Sequence, residues 1–338
     1  MNRTEEVRQK IISEILDGKY SPGDKLPTER DMAVITKTSR ITVRRAYEQL
    51  EKNGVIDRQP KLGTRVADSF KGNCREIETV GLITTLRDQF SRDFIEAVHE
   101  ACLQKDALMT LAISETTSEQ NSMALKLVAK GIRNLIVWGF DRSLDFQAFA
   151  RIRALGVNIV FFDRVIPGDF ADFVGLDNQD AMKTIFEHSS KNNIDNFIYA
   201  DASGLNVDSN NGRLNAFIQR CEKGGFEYTK FLVPWEPNNK AKMSEAGRKF
   251  FKKHKCNKST ALVCVNDIVA LSILEACPRN IQIYSIDGSP EAVNAGIMSY
   301  SQPIRKMAMA AVKALWKQHK TGEKWRAEKI IFKGKLLG

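Results

Sequence analysis

Ser39-Arg40-Ile41-Thr42-Val43-Arg44-Arg45-Ala46-Tyr47-Glu48-Gln49-Leu50 is the stretch on which the reading of the N-terminal region turns. Val43, Ala46, Tyr47 and Leu50 recur at i, i+3, i+4 and i+7, the spacing of one buried helix face. Thr38-Ser39 supplies its cap and Gly54 closes it as a C′ glycine. With that stripe turned inward, Ile41, Arg44 and Arg45 point away from the core. Working backwards, Val7, Ile11, Ile12, Ile15 and Leu16 form the apolar stripe of a first helix over residues 5–17, ended by Gly18. Ser21-Pro22-Gly23-Asp24 is a turn, and Thr28 with Asp31 three residues on carries the capping-box signature of a second helix reaching about Ile35. Working forwards, residues 55–59 and 64–67 are strand-like pieces around the turn Pro60-Lys61-Leu62-Gly63. Three helices and a hairpin within residues 1–68 predict a winged helix-turn-helix.

The charge pattern agrees with that placement. The whole chain of 338 residues carries a formal +10, but residues 1–36 sum to −1 and residues 37–67 to +5, so the excess falls on the third helix and the hairpin. Residues 303–338 add a further +8, which a solvated helix face explains as well as a second nucleic-acid contact. Cys74, Cys102, Cys221, Cys256, Cys264 and Cys277 lie far apart without CxxC spacing, the pattern of reduced thiols rather than of a disulfide framework or a zinc site. Charges recur every two or three residues through MNRTEEVRQKIISEIL, unlike a secretion signal, and no apolar run approaches 18 residues. A cytoplasmic protein without membrane contact, metal or cofactor is expected.

Residues 69–78 are polar and aperiodic and read as a linker. From 79 to 338, apolar runs at 80–85, 107–113, 134–138, 157–163, 196–200, 260–265 and 281–286 alternate with helical segments. Continuous runs rather than strict alternation mark strands covered on both faces, hence parallel sheets in α/β units.

The N-terminal segment resembles the DNA-binding domain of the GntR family. The residues that carry the resemblance are Gly18, the run Tyr20-Ser21-Pro22-Gly23-Asp24-Lys25-Leu26-Pro27-Thr28-Glu29-Arg30, the stretch Ser39 to Leu50, Gly54, and Gly63-Thr64-Arg65-Val66. The resemblance implies a recognition helix in the major groove and a wing against the neighbouring minor groove. Chemistry supports the same residues. Arg40 and Arg44 can pair bidentately with guanine or clamp a phosphate, and Arg30 suits backbone contact. Ser39 and Thr42 can bond phosphates at a helix N-terminus. Lys61 adds a cation at the wing, and Gly63 lets its backbone approach closely. The bland alternative is that these arginines only solubilise a small domain.

Residues 79–338 resemble the effector domain of LacI-type regulators and the periplasmic sugar-binding proteins that share its fold. The matching pieces, in order, are Phe162-Asp163-Arg164, Val174-Gly175-Leu176-Asp177-Asn178, Arg213-Leu214-Asn215-Ala216-Phe217, Val265-Asn266-Asp267, Ile286-Asp287-Gly288 and Ser301-Gln302-Pro303. The resemblance implies two doubly wound lobes with crossovers near 178, 290 and 320, and a ligand in the cleft at the strands' C-terminal ends. Asp163, Arg164, Arg213, Asp267, Asp287 and Gln302 are then candidates for hydrogen-bonding a pentose or hexose, with Phe90 and Trp235 as stacking plates. Two structural readings stand beside these: Asp163-Arg164 as an interlobe ion pair, and Asp267 as a helix cap. The combination resembles GntR/LacI-type hybrid regulators, which lack the LacI family's own head and hinge helix.

The expected partners are double-stranded operator DNA, a small sugar and a second copy of the chain. Four scattered histidines, with no GxSxG or P-loop pattern, give no sign of an enzyme. A solute receptor, an activator and a corepressor-dependent regulator are the remaining alternatives.

Overall fold

The computed structural model describes residues 3–59, 62–67, 76–86, 88–140 and 144–338, excepting the side chains of Leu16 and Glu323. The expectations for Pro60, Lys61, Cys74, the Leu16 side chain and residues 69–75 of the linker lie outside the described residues.

Helices α1 (Arg3–Leu16), α2 (Glu29–Thr36) and α3 (Arg40–Lys52) form the N-terminal head, followed by the wing strands β1 (Ile56–Gln59) and β2 (Gly63–Val66). Val7, Ile11, Ile12 and Ile15 of α1 meet Val43, Ala46, Tyr47 and Leu50 of α3 in one core. Both caps form: the Thr28 oxygen accepts from the Asp31 amide and the Ser39 oxygen from the Thr42 amide. The wing strands pair antiparallel from Ile56 opposite Val66 to Gln59 opposite Gly63. Gly63 sits at φ +85°, and a β-carbon there would stand 3.1 Å from Lys25 Cε, so the wing turn needs a glycine.

The chain then alternates strand and helix through β3 (Thr79–Thr84), α4 (Gln89–Leu103), β4 (Leu108–Ile113), α5 (Thr117–Ala129), β5 (Asn134–Val137), α6 (Phe146–Ala154), β6 (Asn158–Phe162) and β7 (Asp172–Leu176). It continues with α7 (Asn178–Lys191), β8 (Asn196–Ser203), α8 (Asp208–Gly224), β9 (Glu227–Pro234), α9 (Lys240–Lys253), β10 (Thr260–Cys264), α10 (Asp267–Ile273), β11 (Gln282–Asp287), α11 (Pro290–Asn294) and β12 (Met298–Ser301). The last elements are α12 (Ile304–Thr321), β13 (Lys329–Phe332) and β14 (Lys335–Leu337). Lobe 1 is the all-parallel sheet β4-β3-β5-β6-β7-β13, and lobe 2 is β9-β8-β10-β11-β12 with β14 added antiparallel. The central strands β5, β6, β7 and β10 are buried along their whole length, as two-sided helical cover requires.

Five strands escape a search for apolar runs. β9 is exposed at most positions because it forms an edge, and β12, β13 and β14 are too short for a period to show. β7 follows β6 through a polar loop and is recognisable mainly by its burial. The crossings are also corrected. The first falls after Leu176, but the second lies at Gln302-Pro303 rather than near 290, because residues 298–301 still pair with β11 in lobe 2. The third lies between Phe332 and Lys335 rather than near 320, because β13 first pairs with β7.

The head rests on lobe 1. Side chains of α1 join an apolar cluster with Ala124, Leu127, Val128 and Ala129 of α5 and Leu144 ahead of α6. Polar bonds converge on the C-terminal end of α5, where unpaired carbonyls carry partial negative charge. Ala129 O accepts from the Arg8 guanidinium and, at 3.0 Å, from Asn53 Nδ2. Arg133 donates to Val128 O at 2.8 Å and to Asn53 O. In the basic C-terminal region, Arg305, Lys317 and Lys333 are paired with Glu100, Glu328 and Asp180. No helix among the described residues is long and apolar enough to cross a membrane.

Tyr47, fully buried in the head, donates its hydroxyl to Pro27 O at 2.6 Å and so ties α3 to the segment entering α2. Tyr47→Phe should leave that carbonyl without its donor and cost about 1–2 kcal/mol. Urea unfolding followed on the head would measure this, and an unchanged midpoint would contradict the role given to the bond.

Candidate DNA-reading face and effector cavity

The outward face of α3 is polar except at one position. Arg40, Arg44 and Arg45 are exposed, as is Arg30 at the start of α2, and Ile41 stands among them. Arg44 is braced rather than free: its Nε donates to Glu29 Oε2 at 3.2 Å, and Arg58 bonds the other oxygen of the same carboxylate at 2.7 Å. The two terminal nitrogens of Arg44 keep the fork that a guanine edge or a phosphate accepts. Ser39 and Thr42 share a hydroxyl bond of 2.9 Å inside the cap, so they stand together at the amino end of α3. Gly63 forms the start of the second wing strand, and Lys61 is outside the described residues.

Between the lobes lies a half-open cavity with about 60 Å³ of free space. Phe90, Trp138, Asp163 and Arg164 enter it from lobe 1, and Asn210, Arg213, Trp235 and Asp287 from lobe 2. Parallel strands deliver these groups, since Trp138, Asp163 and Asp287 all stand at the C-terminal ends of β5, β6 and β11. Asp163 at φ +57° and Asp287 at φ +134° hold backbone shapes that non-glycine residues rarely adopt. Such shapes cost about 1–3 kcal/mol each and concentrate at binding sites.

Hydrogen bonds preset the cavity wall. Arg164 donates Nε to Gly139 O at 2.9 Å and pairs with the Asp163 carboxylate. Ser209 of lobe 2 bonds that carboxylate at 3.0 Å, so the Asp163-Arg164 pair is both cavity lining and a link across the lobes. Arg213 donates to Val265 O at 2.7 Å and faces Asp287 at 3.7 Å. Gln302 donates to the Asp287 carboxylate at 2.9 Å and orients it from behind without lining the cavity. Asp267 is only 2% exposed and lines an adjoining cavity of about 320 Å³ that shares Asp88, Phe90 and Asp287 with the first. Its carboxylate accepts from the Ser285 and Ser299 hydroxyls and from the Ser289 amide, tying α10, β11 and β12 together and bracing the turn after Asp287. The cap of α10 is Asn266, which also lines the cavity.

Three buried donors among the cavity-lining residues have no partner: Trp138 Nε1, Asn210 Nδ2 and Arg213 Nε. Buried N–H groups are nearly always paired, so three unpartnered donors in one cavity wall are unusual. Trp138 and Asn210 lie in no motif that sequence reasoning singled out. Trp138 does follow an apolar strand directly, the position from which open α/β sheets reach a ligand. Phe90 meets Trp138 edge to face, with centroids 5.6 Å apart, and the two form one aromatic side of the cavity.

This head, joined to two lobes around a polar cavity, defines a DNA-binding transcriptional regulator with a small-molecule effector domain. Residues 3–66 match the bacterial regulatory proteins of the gntR family, and residues 186–335 match the periplasmic binding protein-like domain. Along nearly its full length the chain is similar to the arabinose metabolism transcriptional repressor of Geobacillus stearothermophilus, at 22% identity over 98% of this chain and 95% of that protein. Among solved structures, the lac repressor dimer bound to operator and the anti-inducer ONPF aligns with a TM-score of 0.66 at 14% identity, covering 78% of this chain and 94% of that one. The periplasmic binding protein of the arabinose ABC transporter from Shewanella sp. ANA-3, bound to α- and β-L-arabinofuranose, aligns with a TM-score of 0.66 at 17% identity over 77% of this chain and 91% of that one.

Burial holds the Asp287 carboxyl well above the ordinary carboxylate range; Arg213 opposes this, while Asp267 and Asp88 reinforce it. The folded chain therefore holds that proton to a higher pH than the unfolded chain does. The stability this group contributes is fully present below the unfolded value of about 4 and is lost as the pH rises through the raised folded value. Asp287→Asn should remove that part of the decline, so that denaturation midpoints at pH 5 and pH 8 lie closer together than in the parent. An unaltered gap would show that Asp287 is ionised in the empty protein.

Proposed function

We propose that this chain is a homodimeric transcriptional repressor that leaves its operator when a monosaccharide fills the interlobe cavity. The observation that carries the reading is the set of unpartnered donors on Trp138, Asn210 and Arg213 in the same cavity wall as the carboxyl groups of Asp163 and Asp287. A sugar hydroxyl both donates and accepts, so a polyol satisfies both kinds of group at once. The Phe90–Trp138 aromatic side and Trp235 suit the apolar face of a sugar ring. Similarity to an arabinose repressor puts arabinose first among candidates.

The direction of β5 supports a route from sugar to head. This strand leaves Arg133, which holds Asn53 of the head, and ends at Trp138 in the cavity, a span of about 17 Å. A lobe movement that closes on sugar therefore reaches the contact that sets the head's position. A coupling of about 1–3 kcal/mol is typical, enough to weaken operator affinity roughly 5- to 150-fold. Support for a dimer through the effector domains comes from the exposed Leu108, Leu111 and Ile113 on edge strand β4 and Tyr228 and Leu232 on edge strand β9. Apolar side chains clustered on uncovered edges mark an interaction surface. Each head then occupies one half-site of a pseudo-palindromic operator.

A thermal-shift panel of pentoses, hexoses and their phosphates tests the reading, because a ligand at 100 times its dissociation constant adds about 2.7 kcal/mol of stability. Stabilisation by a simple sugar is expected in the parent and its loss in Asn210→Ala. A flat sugar panel beside a response to purines or amino acids would refute the assignment. Arg44→Ala should lower operator affinity at every salt concentration tested while sugar affinity stays as in the parent. Arg133→Ala should retain both affinities and reduce the sugar-dependent release of operator several-fold. Full release in that variant would remove the β5 route.

A further inference from the structure

Ile41 is an anomaly on the outward face of α3. It is 64% exposed, on the first turn, between Arg40 and the pair Arg44 and Arg45. With 3.6 residues per turn, it lies about 170° around the helix axis from the mean direction of Val43, Ala46, Tyr47 and Leu50, so it stands at the centre of the surface turned away from the core. It is absent from the apolar core of the head, and its branched β-carbon makes it a weaker helix former than the arginines around it.

We infer that Ile41 is a base-reading residue that packs against the C5-methyl group of a thymine in each half-site; the inference rests on the DNA-reading role given to α3. Charge decides the partner. A protein surface covering Ile41 would also have to bury the three surrounding guanidinium groups, whereas a duplex accepts them through phosphates and guanine edges. Within the major groove the thymine methyl is the one apolar feature offered by the bases, so an aliphatic side chain among hydrogen-bonding ones selects thymine. The braced Arg44 keeps the neighbouring position for guanine or phosphate, which sets Ile41 and Arg44 on adjacent steps of the same groove. A β-branched side chain has little rotamer freedom to lose on contact, so the reading is sharp for its size.

The test begins with duplexes selected by the full chain from a random pool. Each thymine of the selected half-site is then replaced, one at a time, by deoxyuridine, which pairs identically and lacks only the methyl. For the parent, one replacement should weaken binding about fourfold, the effect of burying one methyl group. For Ile41→Ala the same replacement should have no effect, while its melting temperature and its response to sugar match the parent's. A parent insensitive to uracil at every position overturns the inference alone, as does an equal loss in Ile41→Ala. A chain that selects no duplex overturns both the inference and the DNA-reading role beneath it.

Discussion

The parallel strands of lobe 1 all run one way, and that common polarity constrains the rest of the molecule. A parallel sheet needs a helical return for each strand, so helix C-termini and strand N-termini gather at one edge and strand C-termini at the other. In this chain the first edge presents the carbonyls of Val128 and Ala129, together with Arg133, to the head. The second edge presents Trp138, Asp163 and Arg164 to the cavity. Head and cavity thus sit at opposite ends of the same strands, joined by fully buried elements rather than by a linker alone.

The two ends differ in chemistry. At the head the contact combines apolar packing of α1 with hydrogen bonds to the end of α5, whose dipole favours the Arg8 and Arg133 cations. At the cavity the strain of Asp163 and Asp287, the raised Asp287 carboxyl and the unpaired donors are all unfavourable in the empty chain. Asp267 and Gln302 hold this arrangement in place through bonds to the Ser289 amide and the Asp287 carboxyl. Residues of the site therefore divide into those aimed inward and those that aim them.

Several of these features were legible in the sequence. The i, i+3, i+4, i+7 stripe of α3 settled which side of the recognition helix faces solvent, since helical periodicity is a local property. Apolar runs marked the central strands of both lobes for the same reason. The crossings near 302 and 333 escaped because pairing partners, and not residue types, decide which lobe an edge strand joins.

Sequence alone determined the winged-helix head, the alternation of strand and helix, and the short motifs around Asp163, Arg213 and Asp287, because each is encoded by neighbours within a few residues. Tertiary structure decided that Trp138 and Asn210 share a cavity with them, that Asp267 braces the turn after Asp287, and that Asn53 and Arg133 meet at the end of α5. Those outcomes depend on which distant segments the two sheets bring together, and no local pattern of side chains carries that information.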